Sequence, residues 1–131
     1  MGEAPIPNYQ DDPTIGYDVS LWRRINPVHF IKENDGSVRP SSAAFQNHPN
    51  GTPMSVVIAA ECTIDRALAG YTGFGIVAIT AGLARQHGQG IVRTPQSNEP
   101  AHADVFGPKP KNVTRSLAKG SIWVVPPPNA N

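Results

Sequence analysis

Cysteine is almost missing from this 131-residue chain, in which Cys62 stands alone. No internal disulfide can form, and no metal site built on several thiolates is available. A reducing compartment is compatible with that usage. Charge is also sparse. Lys and Arg number 11 against 10 acids, for a net of +1. No general field therefore draws the chain to nucleic acid or to an anionic membrane. Long apolar runs are missing too, since none reaches the roughly 18 residues of a membrane span. The first residues, Met1-Gly-Glu-Ala-Pro-Ile-Pro7, carry no basic start and no apolar stretch. No signal peptide is read there, and the expected location is the cytoplasm.

Short catalytic motifs are absent as well. There is no Gly-x-x-x-x-Gly-Lys-Ser/Thr phosphate loop, no Gly-x-Gly-x-x-Gly turn and no His-Glu-x-x-His. There is no Gly-x-Ser-x-Gly elbow. His29, His48, His87 and His102 lack ligand spacing, so no metal is expected.

Turn formers are abundant, with 14 Pro and 12 Gly, which argues for short elements rather than a helical bundle. The length suits one domain able to bury a core without staples. The expected layout is an extended arm over 1–18, a single domain over 19–125 and a Pro-rich tail over 126–131. Tyr9, Ile15 and Tyr17 are the residues that could dock the arm. Within the domain, period-two or continuous apolar stretches bounded by turn signals predict strands over 18–25, 54–60, 74–79, 89–93, 102–106 and 121–125. The poor alternation of 102–106 suggests a sheet edge. Thr63 and Thr80 read as N-caps of short helices that end before Gly70 and Gly88. Asn112 or Thr114 reads as the cap of a third helix running to Lys119. Val28–Ile31 is a short apolar segment, Glu33–Gly36 a turn, and 37–45 extended chain or loop. The expected class is α+β: a small mixed β-sheet of five or six short strands with about three short helices.

The stretch Arg39-Pro-Ser-Ser-Ala-Ala-Phe45 concentrates polar groups suited to an anion. A guanidinium grips phosphate or carboxylate as a fork. The Ser41 and Ser42 hydroxyls can complete the oxyanion's hydrogen bonds, and Phe45 can stack on a base or nicotinamide. The alternative is a turn set by Pro40, with the serines bonding locally. Arg23 falls on the apolar face of the first strand, either snorkelling or held for an anion. His102, at a loop–strand junction, is a candidate general base or anion donor. Cys62, beside Glu61, reads as a small buried residue. Lys109, Lys111, Arg115 and Lys119 form a local basic patch, read here as a solvated helix face.

The order of these segments carries a resemblance. Leu21-Trp-Arg-Arg-Ile25 leads into Arg39–Phe45. An apolar strand ending at Glu61 follows, then the Thr63-x-x-x-Ala67-Leu68-Ala69 helix and a further apolar strand. Over about residues 20 to 80 this resembles the RES domain, a bacterial NAD-degrading toxin fold related to ADP-ribosyltransferases. The resemblance implies that Arg23 or Arg24, with Arg39, grips the phosphates of NAD as substrate. It also implies an aromatic on the nicotinamide and Glu61 stabilising the oxocarbenium as nicotinamide leaves. The chain is also similar in character to small bacterial proteins with no assigned activity.

Three functional expectations follow. One is a small cytoplasmic NAD-handling toxin or effector, of NAD glycohydrolase or ADP-ribosyltransferase type. Glu61 and His102 would be catalytic, with Arg23, Arg24, Arg39, Ser41, Ser42 and Phe45 binding substrate; Arg39, Glu61 and His102 should then share one cleft. The second is a non-catalytic binding or regulatory module that holds a cognate protein partner through Trp22 or Trp123 and the Pro-rich termini. The third uses the Lys109–Lys119 patch on nucleic acid; neutral net charge and few aromatics nearby argue against it.

Overall fold

Apolar alternation along Leu21, Arg23 and Ile25 builds the first strand, β1 (Ser20–Ile25), and turn signals punctuate the remainder. In the computed structural model, which describes residues 9–127, there follow β2 (Phe30–Lys32), β3 (Val38–Pro40), β4 (Met54–Ile58) and α1 (Ile64–Ala67). Then come β5 (Gly75–Thr80), α2 (Ala81–Gln86), β6 (Gly90–Arg93), β7 (His102–Phe106), α3 (Lys111–Lys119) and β8 (Ile122–Val125). Residues 1–8 and 128–131, the front of the expected arm and most of the expected tail, lie outside the described residues. The fold is α+β. Six strands form one sheet in the order β6-β7-β4-β1-β5-β8, and β2 and β3 form a separate two-stranded ribbon. Every pairing is antiparallel rather than mixed. Among the described residues, no helix is long and apolar enough to cross a membrane.

All six predicted strands are in the large sheet, and two details differ. Strand β7 lies between β6 and β4 rather than at an edge. Its alternation is poor because four of its five residues are buried, leaving no wet face to alternate with. The ribbon β2–β3 flanks the predicted Glu33–Gly36 turn, where Asp35 accepts from the backbone and hydroxyl of Ser37. Its strands have three residues each, too few for a period-two pattern to register.

The helices begin where hydroxyls can cap them. Thr63 accepts from Arg66 N at 3.2 Å and Thr80 from Leu83 N at 3.0 Å. The third helix differs from expectation. It starts at Lys111 with Pro110 in the cap position, so neither Asn112 nor Thr114 caps it. Thr114 instead turns into the core and donates to Lys111 O.

The two sheet faces are covered differently. Leu21, Ile25, Val56, Ile58, Val77, Ile79, Ile91 and Val105 pack under α2, α3 and a 3-10 turn at Ser42–Phe45. On the other face Val57 and Ile76 pack with Ala67 of α1 and half-buried Trp22. The lead-in belongs to this core, since Ile15 is 1% exposed and Asp12 N bonds Ile91 O along β6. Tyr9 meets Phe106 at a ring separation of 5.6 Å, while Tyr17 stays exposed beneath the Arg85 guanidinium.

Arg23 resolves the geometry in the middle. Strands β1 and β4 pair only at Leu21↔Ile58 and Trp22↔Val57. Beyond that point the Arg23 side chain enters the gap. Its Nη1 donates to Ser55 O at 2.9 Å and its Nε to Ala44 O at 3.0 Å. Arg23 thus serves as a structural tie rather than an anion grip, because its Nε and Nη1 donate to backbone carbonyls of the 3-10 turn and of β4. Withdrawal from solvent pulls its pKa down to about 10, with neighbouring Arg24 adding to the shift, so it remains charged at neutral pH. Replacing it with Leu strands two carbonyls, each costing about 1–3 kcal/mol when unmet. Urea unfolding of Arg23→Leu is expected to show a loss of about 2–4 kcal/mol. A loss under about 0.5 kcal/mol, within the range of an ordinary surface substitution, would mean that the guanidinium is not the tie.

Candidate functional site

A helix that buries Val113, Thr114 and Leu117 must turn its opposite face outward. On α3 that face carries Lys111, Arg115 and Lys119, at positions i, i+4 and i+8. It fronts a cleft of about 730 Å³. The facing wall is Arg39 and Pro40 of β3 with Ser41 and Ser42, and Trp123 of β8 adds a further side. Trp123 is set by three contacts. Its Nε1 donates to Val38 O at 2.9 Å, and its ring meets Phe30 edge-on at 5.9 Å. It also lies across Gly75, where a Cβ would come within 2.7 Å of the ring.

Positive charge dominates the lining of this cleft. Four cations line it, and no acid is among the lining residues. Lys111, Arg115 and Lys119 take part in no ion pair among the described residues. Arg39 is paired with Glu33, but both side chains are about half exposed. Such a pair is worth under about 1 kcal/mol, so Arg39 can exchange it for a ligand anion. Like charges four apart cost the helix a few tenths of a kcal/mol per pair. Lys111 also stands at the helix N-terminus, the unfavourable end for a cation.

The predicted site residues divide among several places. Arg39, Ser41 and Ser42 share the cleft. Ser41 also accepts from Ala43 N as the N-cap of the 3-10 turn, so the turn reading and the cleft position hold together. Phe45 is 0% exposed and cannot stack on a ligand; it is a core residue because the turn drives it under α3. Arg24 donates to Ala67 O at 3.0 Å and lies 4.0 Å over the Tyr71 ring, anchoring α1. Glu61 is held by Arg93, at 2.6 Å, whose hydrogen bond keeps the carboxyl below its ordinary pKa. His102 is 7% exposed, with Nδ1 3.1 Å from Thr94 O and 2.9 Å from Thr94 Oγ1. A carbonyl only accepts, so the Nδ1 N–H donates to Thr94 O.

Glu61 and His102 therefore stand on the β6–β7 side of the sheet, whereas Trp123 lies in β8 at the opposite edge. Five strand steps separate those edges, about 24 Å at the usual spacing of about 4.8 Å. The Arg39–Glu61–His102 convergence is absent from the structure. Cys62 is half-buried, and its thiol donates to Glu99 at 3.2 Å. Burial, then that hydrogen bond, push its pKa up, away from a reactive thiolate. Lys109 leaves the basic patch altogether. Its Nζ donates to Asn47 Oδ1 at 2.5 Å and to Val105 O at 2.8 Å.

Of the cleft residues, Ser121 was not singled out from the sequence; Lys111, Arg115 and Lys119 were read as a solvated face or a nucleic-acid patch and Trp123 as a partner contact, and the cleft joins them. The signal for the stripe is the four-residue spacing of cations on a helix without an acid. A second cleft of about 650 Å³ lies between β5, α2 and β8. Its one cation, Arg85, is engaged by Asp11 and Asp12.

Lys109 gives a pH test. Burial, then the charge of Arg23, depress its pKa to about 8. Between that value and the ordinary 10.5 of an unfolded lysine, the folded protein holds fewer protons than the unfolded chain. Stability should rise with pH through this window. The urea midpoint of the wild type is expected to rise from pH 7 to pH 10 relative to that of Lys109→Met. Parallel profiles would contradict the assignment.

No protein-family model, no curated protein and no solved structure matches this chain.

Proposed function

We propose that this protein is a non-catalytic binding module for a phosphate-bearing anion. One observation carries the reading: three cations on a single helical stripe, with no ion pair among the described residues, share one cleft with Arg39, Ser41 and Ser42. A stripe of this kind works against helix stability unless an anion meets it. Guanidinium groups supply forked donors, ammonium groups supply point charge, and the hydroxyls complete the coordination.

This reading keeps the arginine grip implied by the RES resemblance and leaves out the cleavage step. Stabilising an oxocarbenium needs a carboxylate beside the ribose, and the lining of the cleft contains no acid. Capture of a protein partner is a second reading, favoured by the outer edge of β8, which has no strand beside it among the described residues, with Ile122 71% exposed. Trp22 and Trp123 are half-buried and contribute less to that surface.

Calorimetric titration with sodium pyrophosphate at low salt tests the first reading. Saturable binding is expected, weakened about tenfold or more by Arg115→Glu, as expected for charge reversal at a contact worth about 1.4 kcal/mol or more. Incubation with NAD is expected to release no nicotinamide. Absence of pyrophosphate binding, or nicotinamide release that depends on Glu61, would overturn the proposal.

A further inference from the structure

We propose that the cleft takes a single-stranded polynucleotide, laid along α3 with successive backbone phosphates on Lys111, Arg115 and Lys119. The proposal rests on the anion-binding reading above and names its ligand class.

Residues four apart on a helix rise by about 6 Å, so the row from Lys111 to Lys119 is about 12 Å long. A single diphosphate can engage one step of that row. A chain of regularly repeated phosphates can engage every step. Arg39, Ser41 and Ser42 line the same cleft and add a fourth cation and two hydroxyls for the phosphates held there.

The lining is also mixed. Ile31, Val38, Pro40, Ala118 and Trp123 add apolar surface beside the cations. Bases can rest on such surface while the backbone follows the charges, which is how strands are held with little sequence preference. The Trp123 indole N–H is already spent on Val38 O, so it offers no hydrogen bond to a base.

Four of the 11 Lys and Arg line the cleft, and among the described residues the acid paired with any of them is Glu33, on Arg39. A net charge of +1 therefore coexists with a local basic patch, and electrostatic attraction is concentrated there.

The test is fluorescence anisotropy of a labelled oligothymidylate with the full chain, over a series of salt concentrations and strand lengths. Affinity is expected to rise with length and level off near about four nucleotides, in line with the smaller single-strand sites. The slope of log K against log salt should be about −2 to −3, from three or four phosphate contacts at about −0.7 each. Arg115→Glu should weaken binding tenfold or more, and Lys119→Ala should make the slope shallower by about 0.7. Both residues are exposed, and an unchanged melting midpoint will show that each variant folds. A matched duplex or a polyglutamate peptide binding as tightly as the strand would overturn the proposal. Pyrophosphate binding that depends on Arg115, with the strand no tighter than a mononucleotide, would overturn it while leaving the anion-binding reading intact. Failure of pyrophosphate and strand alike would remove both.

Discussion

The Arg23 guanidinium ties together the parts of this fold that would otherwise separate. Strands β1 and β4 diverge after two residue pairs, and the side chain bridges the opening to Ser55 O. The same group reaches Ala44 O in the 3-10 turn. That turn sends Phe45 into the core beneath α3 and leaves Ser41 and Ser42 on the cleft wall. One charged group thus fixes a backbone and, through it, the position of two hydroxyls and the strand that bears Arg39. Removing the group would leave part-buried carbonyls without their donors, a cost that a neutral side chain of similar size does not recover.

The cations of this protein fall into two kinds. Arg23 and Lys109 serve carbonyls of the fold and have depressed proton affinities through burial. Arg24 and Arg66 anchor the segment around α1, on Ala67 O and on Glu99. Against these, Lys111, Arg115 and Lys119 are committed to nothing within the described residues. Internal engagement separates structural cations from ligand-facing ones more sharply than local sequence does. It also explains why a chain of net charge +1 can carry a basic cleft.

Much of the architecture was legible because local signals agreed with the tertiary result. The six strands of the sheet follow runs such as Met54–Ile58 and Gly75–Thr80, and Thr63 and Thr80 act as caps where they stand. What was not legible depended on contacts between distant segments. Phe45 looked free to stack because nothing local says that α3 will cover it. Glu61 looked catalytic because its partner Arg93 lies 32 positions away. Arg39, Ser41 and Ser42 were recognised as a polar group. The α3 cations that line the same cleft, Lys111, Arg115 and Lys119, come much later in the chain and were read chiefly as an ordinary solvated helix face.

The measurement that bears most directly on the cleft is amide and indole chemical-shift mapping by heteronuclear NMR during addition of sodium pyrophosphate. Saturating shifts at Ser41, Ser42, Arg115, Lys119 and the Trp123 indole, with Glu61, Arg93 and His102 unmoved, are the predicted outcome. Shifts gathered around Glu61 and His102 instead, or no shift at any of these positions, would contradict the account.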